Sequence, residues 1–462
     1  MERLKRKYIG DKAFYKLVFS ISFPIMVQNG LTNFVNLLDN IMVGQLGTEQ
    51  MSGVAIVNNL IFVFFLMNFG GLSGAGIYTA QFYGNKDDEG IRNTFRFKLW
   101  LGLFIVLVTG ALLLLFGGDF IQLFLNSSAD GGDLEAALSY GLDYLGIILL
   151  MLPAVSFSQV YISTLRECGQ TVVPMVAGIV AVLTNLVLDY VFIFGKLGLP
   201  AMGVKGAAFA TVIARYVEML IVLVWAVKNS DTHTYFKGIY RTLRVPWDLT
   251  KKLLKSGLTI MMNEGLWSVG IVILAQAYSI RGLNVVAGQS IASTIGNIFN
   301  IVFIALGDAV AIIIGQLLGS GDMKKAKDYD NKIIATAVLS SVVIGSLLFL
   351  VSGLFPQLYN TNEHAKMLAT HFIMVQAVFM PKDSFLHTSY FTIRAGGKTM
   401  ITFLFDSVST MLISVPVAFV LTRFTALGAP TVFAIVHAAD IVKCMVGYIM
   451  IKNNIWMKNL VK

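Results

Sequence analysis

Long apolar segments dominate the sequence, and they leave few folds open to it. About twelve of them are long enough to cross the roughly 30 Å hydrocarbon core of a bilayer as a helix. The chain is 56% hydrophobic and only 13% charged, which is outside the usual composition of a soluble domain. The apolar runs are continuous rather than alternating, so they indicate helices and not the strands of a membrane barrel. We therefore predict an all-α integral membrane protein with twelve transmembrane helices. The predicted spans are 16–40, 53–76, 98–117, 138–163, 172–195, 206–227, 256–280, 289–314, 333–354, 368–391, 400–421 and 428–451.

Lysine and arginine are concentrated in alternate loops. If every segment crosses the membrane, the basic segments 1–16, 84–98, 228–255, 319–332 and 451–462 all lie on one side. Of the loops on the other side, 117–135 is acidic and 356–366 is nearly balanced. Because loops rich in Lys and Arg mark the cytosolic side, we predict a multi-pass protein of the cytoplasmic (inner) membrane with both termini in the cytosol. The same rule accounts for the net charge of +9, so no nucleic-acid partner is expected.

Two stretches of the first half recur in the second half. The sequence "QFYG" at 81–84 resembles "QLLG" at 316–319, an offset of 235 residues. Residues 152–171 match residues 380–399 at seven positions, with an offset of 228. An internal duplication explains both offsets.

The duplication predicts two six-helix lobes, residues 1–228 and 251–462, joined by a cytosolic linker at 229–250. Each copy begins on the cytosolic side, so we expect parallel repeats related by a pseudo-two-fold axis along the membrane normal. Two similar bundles around a site at the bilayer midplane are the layout of alternating-access carriers. A scaffold without transport activity is the alternative.

Seven polar residues form one stripe on the first predicted span. At 100° per residue they fall within an arc of about 140°. Amides alone can join helices by hydrogen bonds, but an acid in hydrocarbon is costly and marks a functional site by default. We interpret Asp39 as a cation-binding residue and the amides Gln28, Asn29, Asn33 and Asn36 as the polar lining of a cavity. The full stripe is Gln28, Asn29, Thr32, Asn33, Asn36, Asp39 and Asn40.

A second acid lies on the fifth predicted span. Asp189 follows Asn185 by four residues, so both occupy one face of a helix. Two carboxylates and an amide supply the hard oxygen ligands that suit Na⁺, or two close acids share a proton. Thr211 on the sixth span adds a hydroxyl. We predict that Asp39, Asn185, Asp189 and Thr211 bind H⁺ or Na⁺, with no other metal and no cofactor.

The second lobe carries different charged residues. Glu264 lies on the seventh predicted span, and Lys382 and Asp383 are adjacent on the tenth. We interpret these three as a second coupling or substrate site. The alternative for Lys382 and Asp383 is a structural pair that neutralises itself.

Two charged patterns have a structural interpretation as well as a functional one. Arg215 and Glu218 are three residues apart on the sixth span, and we expect them to form an ion pair. His437, Asp440 and Lys443 recur every three residues on the last span. They form either a proton relay or a buried structural network.

Five motifs spread over nearly the whole chain carry a resemblance to a known family. They are "LLDNIMVGQLG" (37–47), "QFYGN" (81–85), "LTNLVLDYVFIFG" (183–195), "MGVKGAAFATVIAR" (202–215) and "TIRAGGKT" (392–399). Together they resemble the multidrug and toxic compound extrusion (MATE) transporters. The resemblance implies twelve helices in two lobes that form a V, and antiport of organic, often cationic, compounds against H⁺ or Na⁺.

The resemblance also assigns individual residues. Asp39 matches the family's acid on the first helix. Asn185 and Asp189 match its fifth-helix pair, which favours the prokaryotic branch named for the DNA-damage-inducible protein. Glu264 and Asp383 match the positions at which another branch keeps acids on its seventh and tenth helices.

We therefore predict a secondary multidrug efflux antiporter that exports drugs or toxins, chiefly organic cations, by alternating access. It is expected to act as a monomer in the lipid bilayer and not as an enzyme. The chain carries no nucleotide-binding motif, so an ion gradient should drive transport. One alternative is a flippase for lipid-linked precursors, which should have a strongly cationic cavity, whereas few Lys and Arg lie in the predicted spans. The other is a membrane receptor that does not transport.

Overall fold

The computed structural model describes residues 7–126 and 133–462, and its long elements are all helices. The helices of the first half are α1 Lys12–Gly44, α2 Thr48–Gly84, α3 Asp88–Asn126, α4 Leu134–Ile148, α5 Met151–Glu167, α6 Val172–Phe194 and α7 Val204–Lys228. Those of the second half are α8 Trp247–Ser279, α9 Leu283–Ser320, α10 Met323–Val351, α11 Glu363–Ala395, α12 Thr399–Phe403, α13 Val415–Phe424, α14 Ala429–Ala439 and α15 Ile441–Lys452. Two π-helical segments, Leu404–Val408 and Thr410–Ser414, join α12 to α13 in one continuous run.

The helices account for the predicted number of spans. Within the described ranges, nine helical runs are long and apolar enough to cross a membrane, and the pair α4–α5, bent by 47°, is a tenth. The run from α12 to α13 and the run from α14 to α15 each count as one span. Helices α1 and α11 have 33 residues each. At 1.5 Å per residue they are about 50 Å long, which is enough to cross, although they carry more polar side chains. With these two, the described chain has twelve crossing segments, and it is a multi-pass membrane protein.

Contacts between residues divide the chain into two compact units. Unit 1 contains Met1–Met26, Ala80–Asp87 and Leu258–Lys462, and unit 2 contains Val27–Thr79 and Asp88–Gly257. Compared with the predicted lobes, unit 1 also includes the first part of α1 and the end of α2. Unit 2 also includes the linker and the first part of α8.

Unit 1 has two apolar cores. In the first, Phe14 and Ile25 of α1 pack against Ala309 of α9, among other buried residues. In the second, Phe372 of α11 packs with Val432 of α14 and their neighbours. Small residues such as Ala309 let the helices approach closely, which is how helices associate when no water is present to drive them together.

The repeated Gln-x-x-Gly motif forms a close crossing between α2 and α9 inside unit 1. A Cβ atom added to Gly84 would lie 1.9 Å from the carbonyl oxygen of Gln316. A Cβ atom added to Gly319 would lie 1.9 Å from the carbonyl oxygen of Gln81. The two copies of the motif therefore pack reciprocally, with the glycine of each against the glutamine backbone of the other. No side chain larger than hydrogen fits at either glycine.

The C-terminal segment after α15 packs beside this crossing. The buried Gln81 side chain donates from Nε2 to the carbonyl oxygen of Lys458 at 3.2 Å, and its Oε1 accepts from the N–H of Leu460 at 2.7 Å. Asn459 donates from Nδ2 to two carbonyl oxygens at the end of α9, each at 2.9 Å. Trp456 is fully buried. The last residues are therefore an integral part of unit 1.

The glycine crossing predicts a selective loss of stability. Gly319→Ala is expected to destabilise the protein by about 1–3 kcal/mol, because the added methyl group forces the backbones of α2 and α9 apart. Gly110 in α3 has no atom within 4 Å of its Cβ position, so it is the matched control. There we expect Gly110→Ala to be neutral or to stabilise by up to about 1 kcal/mol, since Ala is the better helix former. Thermal unfolding in detergent measures both variants, and equal melting temperatures would contradict the close crossing.

The predicted linker is an ordered part of unit 2. Arg96 Nε donates to the carbonyl oxygen of Ile239 at 3.0 Å, and Trp100 Nε1 donates to that of Leu243 at 3.0 Å. A short 3₁₀ turn, Thr234–Phe236, buries the Phe236 ring. The linker thus lies along α3 instead of forming a loose tether.

Candidate functional site

Unit 2 contains a cavity of about 470 Å³. This volume is within the usual range for sites that bind small molecules. The wall is mixed, with the aromatic rings of Phe62 and Phe65 on α2 and with polar groups from five helices. The polar lining residues are Thr32, Asp39, Asn58, Asn59, Tyr144, Asn185, Thr211 and Arg215.

Two acids from different helices meet at this cavity. The carboxyl groups of Asp39 on α1 and Asp189 on α6 face each other within hydrogen-bonding range. Asp189 is completely buried. Asp39 Oδ1 and both Asp189 oxygens receive no hydrogen bond from any N–H or O–H group among the described residues. Among the described residues, neither acid forms an ion pair with a Lys or Arg side chain. Two such carboxylates repel each other, so a proton or a cation is needed to balance their charge.

The other two residues of the predicted cation site lie beside the acids. Asn185 precedes Asp189 by one helical turn, and its amide lies close to the Asp189 carboxyl. Its Nδ2 donates a long hydrogen bond to Thr211 Oγ1, at 3.4 Å. Asp39, Asn185 and Thr211 therefore line one cavity, and the completely buried Asp189 faces Asp39 without being one of the lining residues. Carboxylate, amide and hydroxyl oxygens are the ligands that a Na⁺ ion would need.

Sequence reasoning missed three residues of the same wall. Tyr144 on α4 is buried, and its hydroxyl donates to Asn58 Oδ1 at 3.3 Å. Its ring lies close enough to both acids to interact with them electrostatically. Asn59 completes the group. The adjacent amides Asn58 and Asn59 in an apolar run were the signal that could have identified this side of the cavity.

One basic side chain, Arg215, is present among the described residues that line the cavity. Arg215 Nη1 pairs with Glu218 Oε2 at 3.1 Å, and Glu218 is almost fully buried. The predicted ion pair on this helix is confirmed. Because Glu218 balances the guanidinium charge, the cavity is not strongly cationic.

The amides of α1 that were predicted to line a cavity do not line this one, as far as their side chains are described. Arg166 Nη2 donates to Gln28 Oε1, and the Gln28 side chain packs against Gly178. Gln28, Asn29 and Asn33 are not among the residues that line the cavity, whereas Thr32 and Asp39 are. The Asn36 side chain lies outside the described residues. A role of these amides toward a substrate stays a prediction.

In unit 1, Glu264 belongs to a different group from Lys382 and Asp383. Glu264 on α8 interacts electrostatically with Arg394 and Asp406. The neighbouring Asn263 donates from Nδ2 to Asp406 Oδ2 at 3.1 Å. Within the described chain, no ion pair joins Glu264 to Lys382. Asp406 interacts with Glu264 and also with Lys443 and Asp440, so it links the group around Glu264 to the group around Lys382 and Asp383.

Lys382 and Asp383 instead join the charged residues of the last span. Lys382 Nζ lies 2.6 Å from Asp383 Oδ1 and 3.6 Å from Asp440 Oδ2. Lys443 Nζ lies 3.1 Å from Asp440 Oδ1, and His437 Nδ1 lies 3.8 Å from Asp383 Oδ2. The pair on α11 and the pattern on α14–α15, which the sequence left as separate features, form a single network.

Irregular backbone surrounds this network. Pro381 lies inside α11, directly before Lys382. The run from α12 to α13 contains the two π-helical segments, and the last span is interrupted between Ala439 and Ile441. Each irregularity frees backbone groups from the regular helical ladder, and π-segments often occur at functional sites.

Comparisons with known proteins agree with this architecture. The MatE family model matches residues 24–191 and 259–420, which together are more than half of the chain. The probable multidrug resistance protein NorM of Thermotoga maritima is 25% identical over 421 residues, covering 89% of this chain and 87% of that protein. The multidrug resistance protein PmpM of Pseudomonas aeruginosa is 27% identical over 419 residues, covering 88% of this chain and 84% of that protein.

A solved structure shares the fold at low identity. The crystal structure of a mutant of VcmN, a MATE transporter of Vibrio cholerae, superimposes with a TM-score of 0.87 at 16% identity, covering 97% of this chain and 98% of that chain. The helical segments follow the order that the apolar runs predict, and the family model covers both halves of the chain. The chain therefore belongs to the MatE family, whose members are membrane transporters and not enzymes.

Proposed function

We propose that this protein is a secondary antiporter that exports organic compounds, chiefly cations, across the cytoplasmic membrane in exchange for H⁺ or Na⁺. The observation that carries the proposal is the pair of acids, Asp39 and Asp189, which face each other at a cavity without a basic partner among the described residues. The distribution of Lys and Arg supports a cytosolic position for both termini. We take the monomer as the transporting unit.

Charge balance explains why an ion should bind here. Two carboxylates held together in a low-dielectric site are costly until a proton or Na⁺ joins them. Asn185 and Thr211 add neutral oxygen ligands from the same wall. One proton or one Na⁺ lowers the negative charge of the pair from about −2 to about −1, whereas the bare pair keeps both negative charges. The charge of this cavity therefore depends on the ion.

The same charge dependence supplies the coupling to an organic cation. Asp39 lines the cavity together with Phe62 and Phe65, and aromatic faces attract cations as carboxylates do. An organic cation gains from the bare acid and loses when an ion has neutralised it. By linkage, binding of the ion and binding of the organic cation then weaken each other. This negative coupling is the condition for exchange in a carrier with two conformations. The names of NorM and PmpM as multidrug resistance proteins support this class of substrate.

The lining argues against a lipid-precursor flippase. A pyrophosphate head group needs several unpaired basic groups, whereas the described lining has Arg215 alone, already paired with Glu218. A receptor that does not transport would need no uncompensated acid pair at its cavity. We therefore favour the antiporter.

Flux in proteoliposomes tests the proposal. Purified protein is reconstituted with a fluorescent organic cation, and a pH gradient and a Na⁺ gradient are imposed separately. We expect the cation to move against its gradient when at least one ion gradient is present, and protein-free vesicles give the background. Absence of movement under both gradients, with protein shown to be folded, would overturn the proposal in favour of the receptor.

A further inference from the structure

We propose that the ammonium group of Lys382 is a built-in cation, which fills a cation site in unit 1 and makes that unit independent of Na⁺. The proposal concerns the network formed by Lys382, Asp383, His437, Asp440 and Lys443. It goes beyond the antiport proposed above, since it assigns to unit 1 a site whose positive charge is part of the chain.

The surroundings of Lys382 Nζ are those of a bound cation. Asp383 Oδ1 lies at 2.6 Å, the carbonyl oxygen of His437 at 3.3 Å and Asp440 Oδ2 at 3.6 Å. Carboxylate and carbonyl oxygens are the ligands that hard metal cations use in proteins. They come from two elements, α11 and the interrupted last span. The ammonium thus occupies a position at which oxygen ligands converge.

The break in the last span explains why a cation is needed at this point. Helix α14 ends at Ala439, so the carbonyl oxygens of its last turn, that of His437 included, have lost their regular helical partners. The negative end of a helix dipole favours a positive charge nearby. Lys382 satisfies one of these carbonyl groups directly. The same site therefore collects two carboxylates and a helix C-terminus.

Contacts between lysines and aspartates dominate the network. Lys382 contacts Asp383 and Asp440, and Lys443 contacts Asp440. From the neighbouring helical run, Ser414 donates to Asp440 Oδ1 at 2.8 Å and Thr410 accepts from Lys443 at 2.8 Å. Without Lys382, Asp383 would keep the longer contact with His437 at 3.8 Å, and the His437 ring balances a negative charge only when it is protonated.

Three other titratable groups lie near the network. Asp406, on the π-helical segment, interacts with Lys443 and Asp440 and is hydrogen-bonded by Asn263. Tyr278 of α8 interacts with Asp440. Cys444 lies near the same charges. None of these groups can replace the positive charge that Lys382 supplies.

Packing holds the ammonium in place. The Lys382 side chain is 10% exposed, and its Nζ lies 5.5 Å from the centre of the Phe379 ring. The His437 ring is stacked against Phe379 at 5.6 Å and meets Phe433 edge-on at 4.5 Å. A tethered charge that is packed in this way does not exchange with ions in solution. In unit 2 the acid pair has no such fixed charge among the described residues, so the two units differ in their need for an ion.

The test removes the tethered charge and asks whether Na⁺ replaces it. Lys382→Ala is made in an Asp39→Asn, Asp189→Asn background, so that no acid pair in unit 2 can respond to Na⁺. Thermal unfolding is measured in NaCl and in choline chloride at equal ionic strength. We expect the background protein to show equal melting temperatures in the two salts. The Lys382→Ala protein should melt at a higher temperature in NaCl.

The size of the effect follows from ligand linkage. When Na⁺ is present at 100 times its dissociation constant, the ratio of folded to unfolded protein should rise about 100-fold. Adding Asp440→Asn should abolish the response, because it removes one of the two negative charges that hold the cation. Lys205→Ala, which breaks an exposed ion pair with Asp143 at 3.2 Å, is the matched control and should not respond to Na⁺. A Lys382→Ala protein that melts at the same temperature in both salts would overturn the proposal.

Chemical rescue keeps the test decisive if Lys382→Ala does not fold in choline. The variant is then purified in Na⁺ or in methylammonium, which returns the missing charge without the tether. Recovery of monodisperse protein in either cation supports the proposal, and failure in both contradicts it. Lys382→Arg keeps a fixed charge and should remain independent of Na⁺. Because the acids of unit 2 are absent throughout, the result does not depend on the antiport mechanism proposed above.

Discussion

Asp189→Asn is expected to reduce ion-driven export of an organic cation by about 5- to 150-fold, the range of typical coupling free energies between two sites. Asp189 is completely buried opposite Asp39, and the amide removes the negative charge that an ion would balance. Efflux from proteoliposomes under an imposed ion gradient measures the loss. Substrate binding should also lose its dependence on the coupling ion. Asp39→Asn is expected to give the same result.

The double variant distinguishes a shared site from two separate ones. If Asp39 and Asp189 hold one ion together, the variant that lacks both should be little worse than either single variant. Asp143→Asn is the control, because Asp143 is exposed and pairs only with Lys205 at 3.2 Å. It should leave coupled efflux unchanged. Coupled transport that survives in Asp39→Asn would remove this residue from the mechanism.

Lys98→Met is expected to lower the free energy of unfolding by about 3–5 kcal/mol, the usual effect of breaking a buried ion pair. Lys98 near the start of α3 has no exposed side-chain surface, and its Nζ lies 2.5 Å from Glu167 Oε2. It also donates to Ser163 and Thr164 on α5. The substitution leaves the Glu167 charge in a largely buried place. Equilibrium unfolding in detergent, followed by tryptophan fluorescence, measures the change.

A second substitution should recover part of this loss. Lys98→Met combined with Glu167→Gln removes both charges, so the penalty for a largely buried carboxylate that has lost its lysine disappears. Lys237→Met is the control, because its pair with Asp231 at 3.1 Å is highly exposed and such pairs contribute about 0–1 kcal/mol. A loss for Lys98→Met no greater than that for Lys237→Met would show that the buried pair does not hold α3 to α5.

The sequence predicted the spans well because their cause is local. A helix that crosses a bilayer needs a long apolar run, and this requirement can be read without knowing any neighbour. The polar faces were also predictable, since residues three or four apart share one side of a helix. Asp39 on the first span and Asn185 with Asp189 on the fifth were identified in this way. In the structure, Asp39 and Asn185 line one cavity, and Asp189 faces Asp39.

The remaining features depend on which helices meet, and periodicity within one helix does not contain this information. Tyr144 reaches the acid pair only because α4, which packs against α3 and α7, contributes to the same cavity wall as α1 and α6. Lys382 finds Asp440, 58 residues away, only because the interrupted last span lies against α11. Gln28 shows the opposite case. It lies on the predicted polar face, yet its side chain accepts a hydrogen bond from Arg166 and is not among the residues that line the cavity.

The burial of the last residues has a consequence for how the protein is made. Gln81 and the end of α9 are synthesised long before Asn459 and Leu460, which are their hydrogen-bond partners. A nascent chain inserting into the membrane can therefore complete unit 1 only after residues 459 and 460 have left the ribosome. A variant that lacks residues 453–462 would keep all its spans but lose these partners, and we expect cellular quality control to degrade it.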